Sequence, residues 1–203
     1  MGRPSLHKPD PRRSVVSAVT PRLGRRERRE QILAAATSAF ARTGFAATSL
    51  EDIADEAGVT RAILYRHFES KADLYRSVLN RAKERFDAAT GAPEFTEASI
   101  DALLVAAADD PAAFRLLFHH AAREPAFKGE MDRFGAEAIA LTDRHLAHVI
   151  HDPRWARWAA QLVPVVAIEA VTAWLDAGQP DREEAAERIR RAIYAVIRAA
   201  AER

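Results

Sequence analysis

At 203 residues the chain suits one or two small domains and is long enough to bury a core without covalent staples. Hydrophobic residues at 48% and charged residues at 29% give the balance of a folded globular protein, and the absence of cysteine excludes disulfide scaffolds, thiolate metal sites and cysteine nucleophiles. No apolar run is read as reaching the ~18 residues of a membrane span, and no apolar signal region opens the chain, so a cytoplasmic protein without membrane contact is expected.

The net charge of +1 hides a dipole. Residues 1–86 hold 17 Lys and Arg against 10 Asp and Glu, whereas residues 87–203 hold 13 against 19. A basic first part beside an acidic second part points to one region that meets a polyanion and one that does not. Residues 1–24, with Pro4, Pro9, Pro11 and Pro21 among several arginines, read as a disordered basic arm, either lying along phosphates or forming a solvated tail.

From Arg25 the pattern turns helical, with Ile32, Leu33, Ala36, Ala39 and Phe40 at the spacing of one apolar stripe and Gly44 as the stop. Thr48 and Glu51 fit a capping box that opens a short helix with Leu50, Ile53, Ala54 and Ala57 inward. Gly58 ends it, Thr60 caps a second short helix to about His67, and Ser70 caps a longer one over about 70–89. Gly91 and Pro93 break the chain. Helices are then predicted at about 94–108, 111–122, 127–150, 153–176 and 181–201, with prolines at the joints and a kink expected at Pro164. No β-alternation appears, so the fold class is all-α.

Two short capped helices joined by Ala57-Gly58-Val59-Thr60 make a helix-turn-helix candidate. Small Ala54 and Ala57 allow a close crossing, Gly58 can take a positive φ, and Val59 and Leu64 fill the angle between the helices. The second helix can then enter a major groove by its N-terminal end.

The run from Phe45 to Leu74, with its Gly-Val-Thr turn, then Leu64-Tyr65-Arg66-His67-Phe68 and Ser70-Lys71-Ala72-Asp73-Leu74, resembles the DNA-binding signature of TetR-type transcriptional regulators. The resemblance covers about residues 25–75; Ala72 stands where a glutamate is common. It implies a DNA-binding domain at 25–75 and a helical effector-binding and dimerisation domain at 76–203. Thr48, Thr60, Tyr65, His67 and Lys71 are expected at phosphates, with backbone N–H donors from the helix starts beside them. Arg61 and Arg66 are expected at base edges, and Ala62 and Ile63 at thymine methyls.

One helix pair reads a half-site, so a homodimer on a palindromic operator is expected. The resemblance implies that the last two helices pair with their mates, and Leu162, Val166, Trp174, Ile189, Ile193 and Val196 are the interface candidates. The alternative is that these stripes pack within one chain. Glu169, in the apolar run from Val163 to Leu175, could pair across the dimer, meet a ligand or face water. Phe118, Met131, Phe134 and Trp158 are candidate ligand contacts, with ordinary core as their alternative. His119, His120, His145, His148 and His151 lack the partners that complete a metal set, and neither metal nor cofactor is expected.

The function expected is a ligand-responsive regulator of transcription, a repressor released from its operator by a small-molecule effector. The alternatives are an architectural or constitutive DNA-binding dimer without an effector, and a helical enzyme assembled from distant residues. No G-x-S-x-G, H-E-x-x-H, P-loop or G-x-G-x-x-G motif is present, so no enzyme is expected.

Overall fold

The computed structural model describes residues 24–91, 96 and 98–202, and every regular element among them is helical. The expected arm at 1–24 therefore lies outside the described residues except for Gly24, whose N–H donates to the Glu27 carboxylate at 2.7 Å at the head of the first helix.

The elements are α1 (Arg25–Ala47), α2 (Leu50–Glu56), α3 (Arg61–Tyr65), α4 (Lys71–Thr90), α5 (Ala98–Asp109), α6 (Pro111–Arg115), α7 (Lys128–Leu146), α8 (Pro153–Asp176) and α9 (Arg182–Ala201). The chain leaves α6 through a π-helical turn, Leu116–His120, and a 3-10 turn, Ala121–Arg123. The fold is an N-terminal helix-turn-helix domain followed by a larger helical domain, and α4 packs on both α1 and α5.

The predicted stripe of α1 is buried as expected, from Ile32 through Phe40. It forms one core with Ile53, Leu64, Phe68 and Leu74, and this core runs without a break into Leu104, Phe114 and Phe127. Tyr75 sits at that junction against Phe40, Phe45 and Phe127, with ring centroids 4.5–5.0 Å apart. Its hydroxyl is buried without a hydrogen-bond partner among the described residues, and burial pushes its pKa above the usual tyrosine value.

Gly44 interrupts α1 at φ 77° and ψ 169°, and one further turn follows. The cap of α2 departs from expectation. Ser49, not Thr48, is the N-cap: its hydroxyl accepts from the Asp52 N–H at 3.0 Å, and Asp52, not Glu51, reaches back to the Ser49 N–H at 3.0 Å. Thr60, Ser70 and Asp110 cap α3, α4 and α6 through side-chain oxygens.

α8 is long and apolar enough, by length and composition, to cross a membrane, although Arg157, Gln161 and Glu169 interrupt any strict apolar run. It packs instead against α5, α7 and α9, with Ala156, Ala159, Ala160, Val171 and Leu175 buried. It runs through Pro164 as a single helix.

Candidate nucleic-acid interface and internal cavity

The turn between α2 and α3 forms as its residues dictate. Gly58 has φ 61°, the Gly58 N–H donates to Asp55 O, and the Val59 N–H donates to Ala54 O at 2.9 Å. Leu64 is fully buried beneath the pair. That fixes which side of α3 faces out. Thr60, Arg61, Ala62, Tyr65 and Arg66 are exposed, while Ile63 is half-buried and packed on the core. A half-buried Ile63 offers less to a thymine methyl than the sequence pattern implies. The Arg61 guanidinium lies 5.7 Å from the Tyr65 ring and donates to its hydroxyl at 3.4 Å, so the two side chains form one exposed unit.

Two expected phosphate contacts are corrected. Thr48 is 2% exposed, and its hydroxyl donates to Gly44 O at 2.6 Å and lies 2.7 Å from the Thr43 hydroxyl. It braces the Gly44 bend from inside. The Lys71 ammonium donates to the carbonyls of Phe45, Ala46 and Thr48 at 2.8, 3.3 and 3.0 Å and stands 4.6 Å from the Phe45 ring. Its three protons are thus committed to the end of α1.

His67 is half-buried at the end of this surface. Burial lowers its pKa below the ordinary 6.5, and Arg25, Arg66, Arg29 and Arg28 push it the same way. The Arg29 guanidinium stands 4.9 Å from the Phe68 ring, so the arginines at the head of α1 lie near the end of α3. The sequence reading passed over them, although the run Arg25-Arg26 and Arg28-Arg29 was the available signal. Ser49, exposed at the start of α2, was likewise passed over in favour of Thr48.

In the larger domain a cavity of about 1060 Å³ lies between α4, α5, the turn after α6, and α7 to α9. Three of the four predicted ligand contacts line it: Phe118, Met131 and Phe134. Trp158 does not. It is 40% exposed on the outer face of α8, edge-on to Trp155 with centroids 5.8 Å apart. The cavity also takes Phe86, Leu103, Leu117 and Ile168, none of them among the expected ligand contacts.

The expected interface residues divide. Leu162 and Val166 are half-buried and lie toward the exposed side of α8. Trp174 and Ile189 are only 7% and 5% exposed and belong to the chain's own core; the Trp174 indole N–H donates to Pro180 O at 2.8 Å. Ile193 lines the cavity, and Val196 packs on a second cluster around Leu146 and Ala160. The α9 stripe chosen from the sequence is thus the one that packs inside the chain. The outward face of α9 carries Arg188, Ala192, Ala195 and Ala199. Glu169 is exposed on α8, 3.9 Å from the His119 ring, whose other nitrogen is 2.7 Å from the Thr172 hydroxyl.

Residues 32–78 match the family of bacterial regulatory proteins, tetR family. The HTH-type transcriptional activator FasR of Mycolicibacterium smegmatis is 29% identical over 180 residues, 82% of this chain and 81% of that one. The HTH-type transcriptional regulator TtgR of Pseudomonas putida is 44% identical over 77 residues, 38% of this chain and 36% of that one. A TetR-like transcriptional regulator from Rhodococcus sp. RHA1 has the same fold, with a TM-score of 0.74 at 23% identity over 85% of this chain and 97% of that one. A helix-turn-helix with an exposed basic reading face, in a match that begins in α1 and ends in α4, identifies this part of the chain as a DNA-binding domain of the tetR family of bacterial regulatory proteins.

Proposed function

We propose that the chain is a ligand-responsive repressor that binds a palindromic operator as a homodimer and is released by a small molecule held in the α4–α9 cavity. The observation that carries this reading is the cavity itself, about 1060 Å³, one wall of which is Phe86 on α4, the helix that also packs on α1. A ligand that binds better to a geometry unsuited to DNA must weaken DNA binding by the same factor. Two further ties support coupling. The Glu124 carboxylate, at the end of the turn that carries Leu117 and Phe118, accepts from the Phe45 N–H at 3.2 Å. Arg76 on α4 pairs with Glu130 on α7 at 2.8 Å. Domain limits near 75 suit this arrangement, with α4 shared between the two parts.

In this reading Thr60, Tyr65 and His67 meet phosphates, and Arg61 and Arg66 meet base edges with Ala62 beside them. The dimer forms through the exposed faces of α8 and α9, which place two reading heads one DNA turn apart, roughly 34–36 Å. Repression is the default because occupying a promoter obstructs transcription without any further contact. The activator title belongs to the relative from Mycolicibacterium smegmatis, and a repressor title to BepR of Brucella suis biovar 1, 46% identical over 28% of this chain and 27% of that one.

The test is selection of bound genomic fragments at physiological salt, where nonspecific phosphate attraction is weakened. A short palindrome near a few genes is expected, and a reporter behind it should rise when the regulator is deleted. Arg61→Ala should cost about 1–3 kcal/mol on that operator and relax preference at one or two bases. Equal losses on operator and random duplex would remove the base-reading role, and no enriched palindrome would remove the dimeric-operator reading.

A further inference from the structure

The cavity also restricts the chemistry of its occupant, an inference that rests on the effector reading above. Its deep wall is apolar: Phe86, Leu103 and Leu117 are buried there, with Phe118, Ile168 and Ile193 half-buried around them. Of the three cations in this lining, Arg144 is exposed, and Lys83 and Arg190 are paired with carboxylates of the chain. The Lys83 ammonium lies 2.6 Å from Asp87 and 3.8 Å from Glu137, above the Phe134 ring at 5.0 Å. The Arg190 guanidinium lies 2.6 Å from Asp101 and 3.6 Å from Glu187.

Three hydroxyl protons of the lining are committed as well. Ser99 donates to Thr90 O at 2.8 Å, Thr90 to Phe86 O at 2.8 Å, and Thr142 to Ala138 O at 2.9 Å. Of the remaining ionisable groups of the lining, Arg144, His145 and Glu169 are exposed at the rim, where water solvates them.

An anionic head group inside would have to take Lys83 from Asp87 or Arg190 from Asp101, and would then face the displaced carboxylate. A cationic head would have to open the same pairs from the other side. Either exchange breaks an existing pair before a new one forms, and a charged head drawn below the rim gives up its water as well. An uncharged hydrocarbon body meets no such cost and gains from every methylene removed from water. We propose that the effector is an uncharged, predominantly hydrocarbon molecule, with any polar group at the rim beside Arg144 and Glu169. The volume, at the upper end for small-molecule sites, admits a drug-sized ligand.

Three probes of equal chain length test this on the full chain by titration calorimetry, dodecanol below its solubility limit and dodecanoate and dodecyltrimethylammonium below their micelle concentrations. Dodecanol should bind at least tenfold more tightly than either ion, a gap that a built counter-charge would erase. Ala138→Trp on the cavity wall should weaken dodecanol at least tenfold with the helical circular dichroism retained, and Leu141→Trp serves if that variant misfolds. A charged probe binding within tenfold of dodecanol, or more tightly, overturns the uncharged class and leaves the effector reading standing. Dodecanol binding that the folded wall variants do not weaken puts the ligand elsewhere and overturns the assignment. No saturable binding by any probe overturns both.

Discussion

An ammonium group donates at most three hydrogen bonds, and Lys71 has three carbonyl partners at the end of α1. Lys71→Ala leaves those carbonyls to water and frees the bend after Gly44. A loss of about 2–3 kcal/mol is expected in urea unfolding, the scale for removing hydrogen bonds to a charged group. The slope of log affinity against log salt on DNA should stay unchanged, because no phosphate contact is lost; a slope reduced by about one would restore Lys71 to the phosphates. His67 behaves oppositely. Burial and four arginines lower its pKa in the free protein, so the unfolded chain protonates first and the fold loses stability as pH drops below about 6.5. A DNA phosphate beside the ring favours the charged form, so binding takes up a proton. Operator affinity, followed by anisotropy at fixed salt, should rise severalfold from pH 7.5 to 6.0, and His67→Gln should flatten that rise. A variant that keeps the full rise would place the titrating group elsewhere. At this scale the caps Thr60 and Ser70 were legible because a cap bonds only to its own first turn. Thr48 and Lys71 were not, because their partners are fixed by how α1 bends over the start of α4.

Gly44 is the residue on which that bend depends. Its φ 77° and ψ 169° lie in a region that glycine alone populates readily, and the end of α1 could not otherwise turn toward α2. A Cβ added there would meet the Glu124 carboxylate at 3.7 Å, an ordinary contact, so the penalty is conformational rather than steric. Gly44→Ala should lose about 1–3 kcal/mol in thermal or urea unfolding. Because Glu124 accepts the next residue's N–H, the same change should weaken operator binding beyond what the unfolded fraction explains. Unchanged binding by the folded variant would show that the bend does not position α2 and α3. The start of α6 was legible because Pro111 and its Asp110 cap act locally, and so was the end of α4 at Gly91, whose φ is 74°. The π turn at Leu116–His120 was not. Nothing in Leu-Leu-Phe-His-His departs from helical spacing, and the wide turn emerges only where Leu116 and Leu117 bury against other helices.

Across the whole molecule the aromatic residues show why a stripe on one helix does not name its own partner. Phe118 and Phe134 touch on the cavity wall with centroids 5.9 Å apart, whereas Trp158 turns outward and Trp174 turns into the core. Trp158 and Trp174 stand on nearly opposite sides of α8, and the placement of α7 and α9 against that helix decides which side meets solvent and which meets the core. Trp155, Trp158 and Val165 are exposed on α8 beside half-buried Leu162 and Val166, and Ala192, Ala195 and Ala199 line the outward side of α9. A large apolar face beside small residues suits the close approach of a second copy, and a two-fold axis through it doubles each contact. Leu162→Glu would bury two unpaired carboxylates in such an interface. It should weaken dimerisation by at least about a hundredfold, on the scale of 3–5 kcal/mol for an uncompensated buried charge. Sedimentation should report a monomer with unchanged helical content, and affinity should fall far more on the palindrome than on an isolated half-site. Trp158→Glu, at a position already exposed in the single chain, should act in the same direction without disturbing the core. If both folded variants sediment as dimers, the pairing face is not α8, and the spacing of the reading heads must be set by another surface.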